Sequence, residues 1–170
     1  MDALRETEVA RMKNGTTVER TSERELVVTR TFDGPARLVF EAWTKPELFR
    51  QWWVPKSLGM SLLSCDMDVR VGGTYRLEFA MGDSQAAFYG TYREVTPHSR
   101  LVCTNEESDE GSVTTVTFAE QGGKTLVAMY ELYPSKEALD AAGGAADAMG
   151  ETFEQLDELL VTLGANAGRS

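Results

Sequence analysis

Few side chains in this sequence are equipped for nucleophilic or metal chemistry: one histidine, His98, and two cysteines, Cys65 and Cys103. A single imidazole cannot anchor a histidine-rich metal site, and two thiols in this arrangement make neither a disulfide framework nor a Cys-x-x-Cys pair. His98 stands in Pro97-His98-Ser99, a turn signal, with no nucleophile in a recognisable motif beside it. It therefore reads as an exposed turn residue rather than a general base. Both thiols fall in strand-like segments away from any helix N-terminus, so they read as buried and inert. The run Glu106-Glu107-Ser108-Asp109-Glu110 holds oxygens enough for a cation but lacks calcium-loop spacing, and reads as a solvated hairpin tip. Gly72-Gly73 and Gly122-Gly123 precede no helix and match no nucleotide fingerprint; they fit hairpin turns. No metal, no cofactor and no catalytic set is expected.

One charge stands apart. Glu131 lies in the mostly apolar run Val127-Ala-Met-Tyr-Glu-Leu-Tyr133, where alternation groups it with Val127, Met129 and Tyr133. Facing inward beside Arg70 or Tyr75, it would orient the polar end of a bound molecule and have a perturbed pKa. Facing outward, it is an ordinary cross-strand partner. Trp43, Trp52 and Trp53 are equally double: packed core, or the roof of a cavity, since a tryptophan joins a large apolar body to a polar N–H. Met67, Met81, Met129 and Met149 supply polarizable side chains suited to an irregular ligand, or simply to core packing.

These residues need elements to hold them. Residues 1–23 are polar and charge-rich and read as a loosely attached tail, with Met12 a possible true start. Glu25-Leu-Val-Val-Thr-Arg-Thr-Phe32 is a strand by its β-branched run. Asp33-Gly34-Pro35 stops it and opens a helix, with Asp33 as the cap and Pro35 in the first turn; Val39, Phe40 and Trp43 share one side of that helix. Thr44-Lys45-Pro46-Glu47 starts a second short helix carrying Leu48, Phe49, Trp52 and Trp53. Five turn signals then divide residues 61–133 into six meandering strands, which implies an antiparallel sheet. After a short helical piece capped by Ser135, Met149, Phe153, Leu156, Leu160 and Leu163 form an apolar stripe over Ala145–Leu163. Glu151, Glu154, Gln155, Asp157 and Glu158 lie opposite, and Gly164 ends the helix.

Composition narrows the partners. The 170 residues suit one domain, and 42 % hydrophobic with 26 % charged residues is ordinary for a globular protein. Lys plus Arg number 17 against 27 Asp plus Glu, a formal net charge of −10. Such a chain repels phosphate backbones, so no nucleic-acid partner is expected. No apolar run approaches the ~18–20 residues of a membrane span. The N-terminus lacks a basic start and an apolar h-region, which makes the cytoplasm the expected compartment.

Phe32-Asp-Gly-Pro35, Val39-Phe-Glu-Ala-Trp43-Thr and Gln51-Trp52-Trp53 belong to a wider pattern. With Asp68-Val-Arg-Val-Gly-Gly73, Phe88-Tyr-Gly-Thr-Tyr-Arg-Glu-Val95 and Phe153-Glu-Gln-Leu-Asp-Glu-Leu-Leu160 they resemble the domain homologous to activators of the ninety-kilodalton heat-shock chaperone's ATPase. That family lies in the START-related, SRPBCC or polyketide-cyclase-like superfamily. The resemblance covers residues 24–163 and departs locally, with Val71 where many relatives carry Pro and Gly34 where Ala is usual. It implies an α+β helix-grip fold: a seven-stranded curved antiparallel sheet wrapped around a long C-terminal helix, with two short helices after the first strand. The domain would span residues 24–163, followed by a tail over 164–170.

The resemblance also implies three classes of function. The favoured one is a carrier or sensor that binds a small hydrophobic or aromatic molecule between sheet and C-terminal helix. A cyclase- or aromatase-like enzyme would need an acid/base set inside the pocket, and none is evident. Chaperone-activating relatives carry an additional N-terminal domain, which a 23-residue tail is not expected to supply. The expected cavity residues are Trp52, Met67, Tyr75, Phe79, Phe88, Tyr92, Met129, Met149 and Phe153, with Arg70 and Glu131 fixing a polar end. A monomer or homodimer is expected.

Overall fold

Alternating β-branched and aromatic residues between glycine turns produce the meander, and its pairing is read directly from the backbone. The structure, a computed structural model, describes residues 11–13, 16–54, 59–106, 111–140 and 149–167. In chain order the strands are β1 (Arg11–Lys13), β2 (Thr16–Arg20), β3 (Glu25–Phe32), β4 (Met60–Met67), β5 (Thr74–Met81) and β6 (Ser84–Thr96). They continue with β7 (Arg100–Thr104), β8 (Val113–Gln121) and β9 (Lys124–Leu132). The helices are α1 (Ala36–Thr44), α2 (Pro46–Trp52) and α3 (Met149–Ala167). All nine strands join one antiparallel sheet in the order β1-β2-β3-β9-β8-β7-β6-β5-β4. The first expected strand, β3, thus lies beside the last, β9, which closes the meander around the helices.

The sheet is larger than the seven strands expected. The two additional strands come from the segment read as a tail: Val18 of β2 pairs with Val28 of β3, and Thr16 and Val18 are buried. A charge-rich sequence conceals this strand, because two buried positions spaced by two suffice once β3 and α3 provide the surface. Arg30 of β3 fastens it, donating from Nη1 to Thr16 Oγ1 at 3.1 Å while Nη2 pairs with the Asp157 carboxylate of α3.

Both short helices are held by distant side chains. Asp33 does not cap α1. The N-cap residue is Pro35, and the Ala36 N–H donates to Glu120 Oε1 on β8 at 2.9 Å. Pro46 sits in the first turn of α2. Having no N–H, it leaves the Ala42 carbonyl without its i+4 donor. The buried indole of Trp52 fills that role, Nε1–H donating to Ala42 O at 2.9 Å.

Residues 136–140 are helical, and the Ala138 N–H donates to Ser135 Oγ at 3.1 Å as expected of a cap. Gly143-Gly144 and the expected start of the last helix at Ala145 lie outside the described residues. Helix α3 buries Phe153, Leu156 and Leu160, as the stripe requires, but it runs on through Gly164 to Ala167. A mid-helix glycine costs about 1 kcal/mol relative to alanine and does not by itself terminate a helix. Gln155, assigned to the polar face, is buried instead. Its Nε2 donates to the carbonyls of Trp52 and Val54, both at 2.9 Å, and ties the end of α2 to α3.

Candidate functional site

The inward face of the sheet can be followed as rows of paired residues. Met129 pairs with Val116, which pairs with Leu101; the next row runs from Glu131 through Thr114 and Cys103 to Tyr92. Tyr75 and Leu77 of β5 and Met67 of β4 continue this surface, and Trp43, Phe49 and Trp53 of the short-helix pair lie over it. Between them is a cavity of about 90 Å³ lined by these residues together with Phe88 and Asn105. Phe49 stacks on Trp53 at 4.9 Å, and Trp52 packs behind both, 5.2 Å and 5.5 Å from their ring centroids. The roof is therefore a rigid aromatic slab, pinned from above by Gln155.

Among its described lining residues the cavity is apolar except at one corner, where side-chain hydrogen bonds connect Tyr75, Asn105, Thr114 and Glu131. The single Tyr75 hydroxyl proton is shared between Thr104 O and Asn105 Oδ1, each 2.7 Å from Oη. Asn105 Nδ2 donates to Ser112 Oγ at 2.9 Å and to Thr114 Oγ1 at 3.2 Å. Thr114 Oγ1 in turn donates to Glu131 Oε1 at 3.0 Å. The Asn105–Thr114 and Thr114–Glu131 bonds lead to the carboxylate, while the bonds to Thr104 O and Ser112 Oγ branch away from it.

Burial pushes the Cys103 thiol from 9.0 up to about 12; the Glu131 charge adds to this and the Tyr75 hydrogen bond opposes it. Cys65 is raised to about 11 by burial, with Arg50 opposing and Asp66 adding, and its Sγ–H meets Met67 Sδ at 3.5 Å. Burial likewise raises Tyr92, and takes Tyr133 to about 12 with help from the Glu131 charge. These thiols remain protonated at neutral pH, so neither is an activated nucleophile. At pH 8, iodoacetamide should alkylate Cys103 about a thousandfold more slowly than an ordinary thiol, from the pKa difference alone. Alkylation at the free-thiol rate, followed by mass spectrometry, would refute the buried environment. Because the native state holds this proton more tightly, stability is lost as pH rises from about 9 to about 12, where the unfolded thiol ionises first.

Six of the eleven expected site residues line the cavity: Met67, Tyr75, Phe88, Tyr92, Met129 and Glu131. Glu131 faces inward in register with Met129, as alternation requires. Trp52 and Phe153 are core, their rings 6.3 Å apart, and do not reach the void. Phe79 is buried one pair further along β5 and packs edge-on against Phe88 at 4.9 Å. Arg70 is exposed in the β4–β5 turn, where Nε bonds the Asp68 carboxylate at 2.9 Å and 3.1 Å; it cannot serve the corner. The side chain of Met149 lies outside the described residues. The cavity lies under α1 and α2 rather than against α3, which contributes no described lining residue. Phe153, Leu156 and Leu160 are buried members of the hydrophobic core.

Sequence reasoning passed over Asn105 and Thr114. Thr114, Val116 and Phe118 alternate inward along β8, and that period was the available signal for Thr114. Asn105 stands beyond the end of β7, where no pattern applies. His98 is exposed in its turn at φ 65°, edge-on to Phe40, and outside the cavity lining. Among the described residues, no group of three or more His, Cys, Asp or Glu side chains is placed to hold a metal ion. No described helix is long and apolar enough to cross a membrane. What the described lining residues offer chemically is an apolar enclosure with one carboxylate, Glu131.

The chain is similar to solved structures over most of its length. A Rhodobacter sphaeroides protein superposes with a TM-score of 0.80 at 23 % identity, covering 87 % of this chain and 99 % of that one. A Nitrosomonas europaea protein gives 0.75 at 23 %, covering 82 % and 96 %. A Staphylococcus epidermidis protein gives 0.74 at 26 %, covering 84 % and 93 %. Among curated proteins none matches the chain. Residues 33–161 match the family described as Activator of Hsp90 ATPase homolog 1-like protein.

Proposed function

The chain belongs to the activator of Hsp90 ATPase homolog 1-like family, and from that premise we propose that it is a cytoplasmic carrier or sensor holding a small apolar or aromatic ligand under α1 and α2. The observation that carries this reading is the void itself. An apolar space roofed by Trp43, Phe49 and Trp53 forgoes dispersion contacts that a filled core would have, and a ligand restores them. The size limits the ligand. At about 90 Å³ the cavity is below the ~150 Å³ of an engineered apolar cavity that takes up benzene. It suits one ring or a short chain that extends past Phe88, which is 38 % exposed. Fused polycyclic molecules exceed it, and with both thiols protonated and no acid/base pair evident among the described lining residues, a cyclase or aromatase reading gains no support.

Toluene and benzyl alcohol test the proposal. With methionines labelled at the methyl carbon, saturating probe should shift the Met67 and Met129 resonances and raise the melting temperature. A ligand at a hundred times its dissociation constant adds about 2.7 kcal/mol of apparent stability. Cys103→Leu, which projects added bulk into the void, should abolish both responses while the protein stays folded. Unmoved Met67 and Met129 signals at saturating probe would overturn the proposal.

A further inference from the structure

We propose that the site takes a ring bearing an unbranched alkyl tail, and that Phe88 is the residue that selects for the slim shape of that tail. The ring fills the void under α1 and α2, and the tail leaves past Phe88; this rests on the ligand-binding reading above. Among the described lining residues Phe88 alone is exposed, at 38 %. Its place on β6 accounts for this. Leu77 of β5 stands opposite it, whereas the pairs between β6 and β7 run only from Tyr92 to Thr96. Phe88 therefore has a strand partner on one side among the described strands. Phe79 holds the ring there, edge-on at 4.9 Å, and more than a third of the residue faces solvent.

The strand ladder shows where a tail would go. A void of about 90 Å³ is filled by a single ring, so further atoms must leave it. Two positions along β6 from Phe88, Ala86 pairs with Phe79 of β5, which pairs with Leu62 of β4. Strand residues two apart share a face, so this row continues the inward apolar surface about 7 Å beyond Phe88. Phe79 is buried, while Leu62 and Ala86 are only half-buried. A hydrocarbon laid on the row takes apolar surface out of water on both partners, and the row itself carries no charge. Width is the constraint at the exit. A linear chain can lie beside the Phe88 ring, whereas a quaternary carbon must push aside a ring already braced by Phe79.

Three hydrocarbons separate the possibilities: toluene, n-butylbenzene and tert-butylbenzene, titrated against the protein and followed by the Met67 and Met129 methyl signals. A methylene moved from water to a half-buried row tightens binding about twofold, so three should favour n-butylbenzene over toluene by roughly 8-fold. tert-Butylbenzene has the same composition in a broader shape and should bind about 10-fold more weakly than its linear isomer, within the range of overpacking costs. In the n-butylbenzene complex, the terminal methyl of the tail should give intermolecular NOEs to the Ala86 methyl. Phe88→Ala removes the ring from the exit and should bring the two isomers to within about threefold of each other. The wild-type isomer comparison stands by itself even if Phe88→Ala fails to fold. Toluene binding with no preference for the linear isomer would overturn the tail exit alone and leave the apolar site standing. Failure of all three probes would remove the site and the exit together. A tail without contact to Ala86 would overturn the route, and a folded Phe88→Ala that keeps the linear preference would overturn the role given to Phe88.

Discussion

Replacing Phe153 with alanine should destabilise the protein by about 3–5 kcal/mol, the range for emptying a fully buried aromatic site. The ring is 0 % exposed and meets Phe32 at 5.4 Å, Trp43 at 5.8 Å and Trp52 at 6.3 Å. It joins α3 to β3 and to both short helices at once, so no neighbour can move in without loosening another. One residue further, Glu154 is exposed, and Glu154→Ala should change stability by less than about 0.5 kcal/mol. Urea unfolding followed by tryptophan fluorescence measures both, since Trp43 and Trp52 adjoin the emptied site. Equal losses would mean that the apolar stripe of α3 does not face the sheet. The cavity also depends on this contact. Gln155, two residues along α3, holds the carbonyls at the end of α2, so a loosened α3 loosens the aromatic roof.

The stripe on α3 was legible because 3.6-residue periodicity is a local property, and so was the six-strand meander, whose turns carry Gly-Gly, Gly-Asp and Pro-His pairs. What escaped was set by partners far away in the sequence. Strand β2 has only Thr16 and Val18 to bury, too few to rise above a charge-rich background. The α1 cap comes from Glu120, 84 positions beyond the N–H it receives; Asp33 offered the same chemistry locally and was the natural expectation. In each case a tertiary contact overrode a local preference.

The site divides in the same way. Alternation correctly turns Tyr75, Met129 and Glu131 inward, because strand period alone decides which face a residue occupies. It cannot say whether an inward residue meets a void or a neighbour. Phe79 and Phe153 satisfy the same pattern yet end in solid packing, since helix placement decides where the space remains. Arg70 had the right charge for a ligand's polar end, but the β4–β5 turn carries it to the surface. Asn105 and Thr114 supply the corner through side chains too common in sequence to attract notice.

Gly90→Ala should cost about 3 kcal/mol or more, at the upper end of overpacking penalties, and should dismantle the polar corner. Gly90 lies in the long strand β6, opposite Tyr75, and a glycine within a strand often marks a place where another group comes close. Here a Cβ at position 90 would stand 1.8 Å from the Thr104 carbonyl oxygen and 2.9 Å from Tyr75 Cε2. The absent side chain lets the Tyr75 ring lie across the strand so that its hydroxyl reaches Thr104 and Asn105. A methyl group there must part the backbones or lift the ring, and either motion breaks the chain leading to Thr114 and Glu131. Gly34→Ala is the control: an added Cβ meets nothing within 4 Å and the backbone is not left-handed. It should be neutral or stabilise by up to about 1 kcal/mol through the unfolded chain. Thermal melts of the two variants, with the Tyr75 ring signals followed by NMR, provide the measurement. A Gly90→Ala protein that melts with the wild type and keeps its Tyr75 shifts would show that the strand has room the structure denies, and the positioning role of Gly90 would fall.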